Sequence, residues 1–450
     1  MLLVPVAFAA EIAVSDVEGL REAVGAAVAG DTIVVGAGTY TLDATLGLAA
    51  SGTVGAPITL RGDGATLVSE TVEALKVSGA YWHVEDLTIR GGCAADDMCE
   101  HALHIVGAAD GTEVRGNTLV DFNAQIKGNG EEVDGVRVWP DDVVIEGNDL
   151  HDTRPRQTAN PVTKIDVVGG QRWRIEANRI ADFEKALGDT VSYAAFLKGN
   201  SKDGLMARNL VLCSDTFAGG VRVGLSLGGG GTSPDSICED GTCTPEHQRG
   251  TLRNNVIAGC SDVGVYLNAA QESVVIANTL YATSGIDVRF PASSVTVGNN
   301  VLDGVIRERD GGVATLGTNW EGVAFADVFT DPATLDFTLR ADPGLVDGGD
   351  AYAGLVDDFC GNPRDAAPDG GAIEYAMDCD TTAVHRGGDG GVDSGSDDAG
   401  DTDAGDTDAD DTDADDTDAG DCGCATPGTT GAAAWGAAMV AWALGTRRRA

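Results

Sequence analysis

The stretches EVRGNTL (113–119), VIEGNDL (144–150) and RIEANRI (174–180) repeat one pattern: alternating apolar and polar residues, an asparagine, then another apolar residue. LMARNLV (205–211), LRNNVI (252–257), VIANTL (275–280) and VGNNVL (297–302) continue it. The asparagines are Asn117, Asn148, Asn178, Asn209, Asn255, Asn278 and the pair Asn299–Asn300, spaced by 31, 30, 31, 46, 23 and about 22 residues. A period of this size is that of a solenoid. Segments such as GVRVW (135–139), GVYLN (264–268) and GIDVRF (285–290) alternate with period two and are bounded by Gly, Asn or Asp, so the repeat unit is built of short strands. Stacked in parallel at about 4.8 Å, they form a right-handed parallel β-helix. Asparagine tolerates the left-handed turn that would follow each strand, and stacked amides hydrogen-bond along the axis. These asparagines therefore read as structural. Residues from about 30 to 310 are expected to form one coil with the asparagines in a column. The spacing of 46 contains the Gly- and Cys-bearing insertion 228–250, which maps to a loop on one face.

Composition agrees. The 450 residues include 63 glycines and only 5% aromatics, which suits short strands and turns. The formal charge is −42. Residues 381–421 account for −14 and the last 29 for +3, so 1–380 still carry −31. This excludes nucleic acid as a partner, because phosphate binding needs a basic footprint.

Both ends read as processing segments. Residues 1–10 are apolar and end in the small-residue pattern Ala7-Phe8-Ala9, as in a signal peptide. Residues 381–421 are Asp-rich with almost no apolar side chains, the composition of a disordered stalk. Residues 422–450 carry Cys422 and Cys424, a short apolar run and Arg447–Arg449, in an order that resembles the C-terminal sorting signal of myxobacterial surface proteins. The resemblance implies export and attachment at the cell surface, at the outer membrane or beyond. In an exported chain, Cys93–Cys99, Cys238–Cys243 and Cys360–Cys379 are natural disulfides, and Cys213 and Cys260 are placed to pair across neighbouring repeats.

A solenoid needs its open ends covered. Ser15 to Glu18 fits a capping box, and a helical pattern follows. Next come Gly30-Asp31, Gly38-Thr39-Tyr40 and Pro57-Ile58-Thr59-Leu60. This order resembles the start of secreted β-helix polysaccharide lyases of the chondroitinase B and alginate lyase type. The stretch from DFTLRADPGLVDGGD (336–350) to GGAIEY (370–375) resembles the closing segment of exported bacterial β-helix proteins. The organisation expected is a β-helix with its cap over 11–312 and a closing segment over 313–380.

Aligning the strands on their asparagines gives an outward column of Lys76, His104, Arg137, Asp166, Lys198, Arg222, Tyr266, Asp287 and Arg289. A cationic strip on an anionic body suits an acidic polysaccharide lying along the coil. In the resembling lyases a lysine precedes a serine in a turn and an arginine follows on the next rung. Lys198, Ser201 and Arg222 have this layout, with Asn200 where the family lysine stands and Lys202 as a second candidate. The resemblance thus implies Lys198 as base and Arg222 as the cation on a uronate carboxylate. Arg137, His104, Asp166, Tyr266 and Arg289 are the candidate substrate-binding residues, and Tyr193 or Tyr266 would protonate the leaving oxygen. It also implies calcium, but SYAAF (192–196) replaces the acidic pair that would hold it, leaving Asp166 and Asp189. No metal ligand is assigned and calcium stays open.

Hydrolysis would need two carboxylates about 5–10 Å apart. Asp166 and Asp287 lie four rungs apart, about 19 Å, which leaves Asp166 with Asp189. Two function classes stand. One is a lyase-like enzyme acting on acidic polysaccharide by β-elimination. The other is a non-catalytic surface protein binding glycan or matrix through the same strip. A monomer is expected in either case.

Overall fold

The computed structural model describes residues 9–382 except 230–231, 233–237 and 342–343. The expected leader and stalk fall almost wholly outside the described residues, and the expected sorting segment falls wholly outside them.

The chain is a right-handed parallel β-helix. Among the described residues three long sheets run its length, one of 12 strands and two of 10. One full turn shows the plan. Val144–Glu146 lies in the 12-strand sheet, Asp149–His151 in the side sheet, and Val162–Val168 in the third, the groove sheet. Each pairs in parallel with its counterpart one turn on. Alternate residues point inward and stack on their own kind. Val114, Ile145, Ile175, Met206 and Leu252 form one such column, and Leu119, Leu150, Ile180, Val211 and Ile257 another. All ten are fully buried. Each such side chain stabilises the coil by about 1.5–3 kcal/mol through burial.

The asparagine column is present and continuous. Nδ2 of Asn117 donates to Oδ1 of Asn148 at 3.0 Å, and the chain of bonds continues through Asn178, Asn209, Asn255, Asn278 and Asn300 to Asn319. Each backbone N–H along it donates to the same oxygen of the next asparagine. The left-handed residue is not the ladder asparagine, as expected, but the residue before it: Gly116, Gly147, Ala177, Arg208, Asn254, Ala277 and Asn299 all have φ between 52° and 64°. That residue reverses the chain, and the asparagine after it can then turn its amide along the axis. Asn209→Ala should remove the bonds that its side chain makes with Asn178, Asn255 and the carbonyl of Ile175. Buried polar groups left unpaired cost about 1–3 kcal/mol each, so a loss of about 2–4 kcal/mol is expected in urea denaturation.

The helix Val17–Ala26 covers the first turn. Its N-cap is Asp16, one residue after the expected Ser15, and the Asp16 carboxylate accepts from the N–H of Gly19 at 2.7 Å. A strand not foreseen, Glu11–Val14, precedes it and opens the 12-strand sheet. At the far end the coil runs to Val313–Leu316. The following chain turns back along the flank. Phe325, Phe329, Phe337, Phe359 and Ile373 pack on the outer side of Leu210, Leu212, Val256, Ala258 and Val301. Asp357 fastens this segment by ion pairs with Arg208 and Arg253, two neighbouring turns. All four foreseen disulfides are formed. Among the described residues no helix is long and apolar enough to cross a membrane.

Candidate functional site

The outer face of the groove sheet carries the candidate site. Strand register defines its central column as Lys76, His104, Lys127, Asp166, Phe196, Ser226, Tyr266, Asp287 and Arg307. Lys76, His104, Asp166, Tyr266 and Asp287 stand where the sequence places them. Four residues do not. Arg137 lies exposed on an antiparallel hairpin, Glu131–Val133 with Val136–Val138, that leaves the sheet after Asn129. Lys127 takes its place in the column. Lys198 lies two residues further along its strand, beside Val168, and Arg289 lies two residues beyond Asp287, beside Asn268.

Arg222 is the largest correction. Its strand neighbours that of Lys198, but its partner is Ser192, six residues before Lys198 and about 20 Å away along the strand. It is fully buried. Its guanidinium pairs with Glu184 at 2.6 Å and donates to the carbonyls of Gly219, Phe217 and Cys213 and to Ser214 Oγ. This arginine knots the turn beside the Cys213–Cys260 bridge and, with no exposed surface, is out of a ligand's reach.

What the fold brings together is Lys127, Asp166, Tyr193, Phe196 and Lys198. They line a groove of about 570 Å³ with Lys185 and Asp189 at one side. Lys127 Nζ lies 2.7 Å from Asp166 Oδ1. Burial pushes the Asp166 carboxyl up, but Lys127 and Lys198 outweigh it and hold the pKa below the usual value. Burial lowers the pKa of Lys198; Asp166 opposes the change and Lys127 adds to it. The ammonium sits 4.4 Å from the centre of the Phe196 ring. Gly229 packs over its stem so closely that a Cβ there would lie 3.1 Å from Lys198 Cδ. Burial pushes the Tyr193 phenol up to about 12, so it carries its proton at neutral pH.

A second stretch of about 670 Å³ adjoins at Tyr193 and is lined by Tyr266, Asn268, Arg289, Phe290 and Glu246. The Tyr266 hydroxyl accepts from Arg289 at 3.2 Å, and Arg289 also pairs with Asp310. Its wall comes from the insertion, through Cys243 and Thr244. Asp287 is held by Arg307 and Arg309 at 2.6 Å each.

Calcium takes about six to eight oxygen ligands. The carboxylates near Lys198 are each occupied: Asp166 by Lys127, Asp189 by Lys185, and Glu246 by the N–H of Gly199. The residues at the groove do not fit calcium, and no step is assigned to it. Cys238 and Cys243 are joined to each other.

A family model described as Chondroitinase B matches residues 14–176, the cap and the first turns, and ends before Lys198. No curated protein matches. Among solved structures the chain is similar to pectate lyase Pel9A, with a TM-score of 0.53 at 15% identity over 79% of this chain and 90% of that one. A mannuronic acid specific polysaccharide family 6 lyase from human gut microbiota matches with a TM-score of 0.39 at 17% identity, over 69% of this chain and 62% of that one. The alginate lyase AlyGC matches with a TM-score of 0.38 at 16% identity, over 69% and 40%. The Pel9A likeness shows the parallel β-helix fold.

Proposed function

We propose that this is an exported β-helix protein that binds an acidic polysaccharide along the groove sheet and cleaves it by β-elimination. The observation that carries the reading is a lysine, Lys198, desolvated over the Phe196 ring in an open groove that a second cation, Lys127, and a protonated phenol, Tyr193, also line. The family match over 14–176 supports the same class.

In this reading the neutral amine of Lys198 takes the proton beside the uronate carboxylate. The freed electron pair forms the ring double bond as the glycosidic oxygen leaves, and Tyr193 gives that oxygen its proton. Lys127 takes the carboxylate role first assigned to Arg222. It meets the charge that grows on the carboxylate, and Asp166 holds it in position. Tyr266 and Arg289 bind the next sugars. His104 lies beyond Lys127 on the same line. Four disulfides support an exported protein. Attachment to the cell surface is assigned to 422–450, and surface proteolysis of intact cells tests it.

The deciding experiment incubates the purified protein with alginate, chondroitin and pectate and follows the ultraviolet absorbance of the unsaturated product. Activity should rise with pH. Burial and Lys127 both penalise the ammonium form, so the pKa of Lys198 falls, and the fraction of neutral base grows as pH passes through it. The midpoint should therefore lie below the ordinary lysine value. A flat or falling profile removes Lys198 as base. The alternative, a non-catalytic binder, is favoured by the absence of a calcium-type donor set at this groove. Binding without product, weakened by salt, would select it.

A further inference from the structure

We propose that Glu73, His101 and His104 form a binding site for a divalent ion of the zinc class, at the end of the groove next to Lys127. These three residues each present one ligand atom, and the three atoms lie within 4.8 Å of one another. They come from two adjacent strands of the groove sheet, in which His101 pairs with Glu73 and His104 with Lys76. Two imidazoles and one carboxylate are a donor set for zinc and its neighbours, not for calcium.

Two observations point to a ligand. First, Nδ1 of His101 is buried and without a hydrogen-bond partner. A buried polar atom left so is a cost that a metal bond would remove. Second, His104 is oriented as metal-binding histidines are. Its Nε2 lies 2.7 Å from Asn129 Oδ1, which fixes the proton there, and its Nδ1 faces Glu73 Oε1 at 2.7 Å. An ion would sit between His104 Nδ1 and Glu73 Oε1.

The charges around the site permit a cation. Lys76 and Lys127 face it, but Lys76 is paired with Glu131 and Lys127 with Asp166, each at 2.7 Å. Glu73 and His104 keep 25% and 15% of their side-chain surface exposed, so three protein ligands leave one position open toward the groove. That is the arrangement of a zinc site that takes an exogenous ligand. The proposal stands apart from the lyase reading, because metal binding is measured without substrate.

The test uses the full chain, stripped with chelator and titrated with Co²⁺, then with Zn²⁺. One equivalent of cobalt should give the intense visible bands of a four- or five-coordinate, nitrogen-ligated ion, and zinc should abolish them. The Asp-rich segment offers carboxylates and a single imidazole, His385, and would give the weak spectrum of octahedral cobalt. His101→Gln and His104→Gln should each lose the bands and weaken zinc binding by more than about tenfold, with an unchanged circular dichroism spectrum. If His101→Gln fails to fold, His104→Gln carries the decision. No intense band in the unaltered protein, or bands and affinity retained in a folded variant, would overturn the proposal.

Discussion

Lys198→Ala should lower turnover of a uronate polymer by about 10²–10⁴-fold, the contribution of a positioned general base. It should leave the coil intact, because the side chain stands on the outer face and makes no hydrogen bond that holds a turn. Its removal also relieves a desolvated charge, so the melting temperature should stay level or rise slightly. Lys198→Arg separates charge from basicity. A guanidinium keeps the cation for binding but cannot give up its proton at working pH, so binding should persist while turnover is lost. Full activity in either variant would move the base to another residue, with Lys202 the next to test. Lys202 is tied to Glu239 at 3.4 Å.

Arg222→Ala should act in the opposite way. Its loss leaves Glu184, nearly buried, without its ion pair and strips donors from three carbonyls. Breaking a buried pair from one side costs about 3–5 kcal/mol, so denaturation should show a large drop in stability. The KM of whatever remains folded should be unchanged, since the arginine is buried and lies about 20 Å from Lys198 along the strand direction. A stable protein with a selectively raised KM would restore Arg222 to the binding role.

The asparagine column was legible because the corner that carries it never varies. In every turn from Asn117 to Asn300 it consists of two residues between two strands. A count along the chain therefore finds it. The outward column has no such ruler. From ladder asparagine to column residue the count is 10 for Lys127 after Asn117, 18 for Asp166 after Asn148 and 9 for Asp287 after Asn278. Alignment to the asparagine that follows places Arg137 on a strand it does not occupy, and passes over Lys127, which precedes the hairpin. Arg222 was misplaced for a different reason. Sequence shows that two strands are neighbours but not which of their residues face each other, and a shift of six residues turns an outward cation into a buried knot. Glu73, His101 and His104 were invisible as a group because Glu73 and His101 are 28 residues apart, and only register shows that this is one turn. The signal available in advance was a buried-looking HALH (101–104) in a chain with six histidines.

The constant corner divides the labour of each turn. The two corners beside the groove strands differ freely: one holds the hairpin 131–138, another the insertion 228–250, others only a few residues. From the insertion, Gly229, Cys243 and Thr244 wall the groove, while the ladder on the far corner keeps the pitch of the coil whatever the length of such a segment. Natural variation can then lengthen, shorten or exchange one wall at a time without re-registering the turns above and below it. A protein engineer could graft a foreign loop at 228–250 on the same grounds, treating the coil as a rack and the groove edges as interchangeable parts.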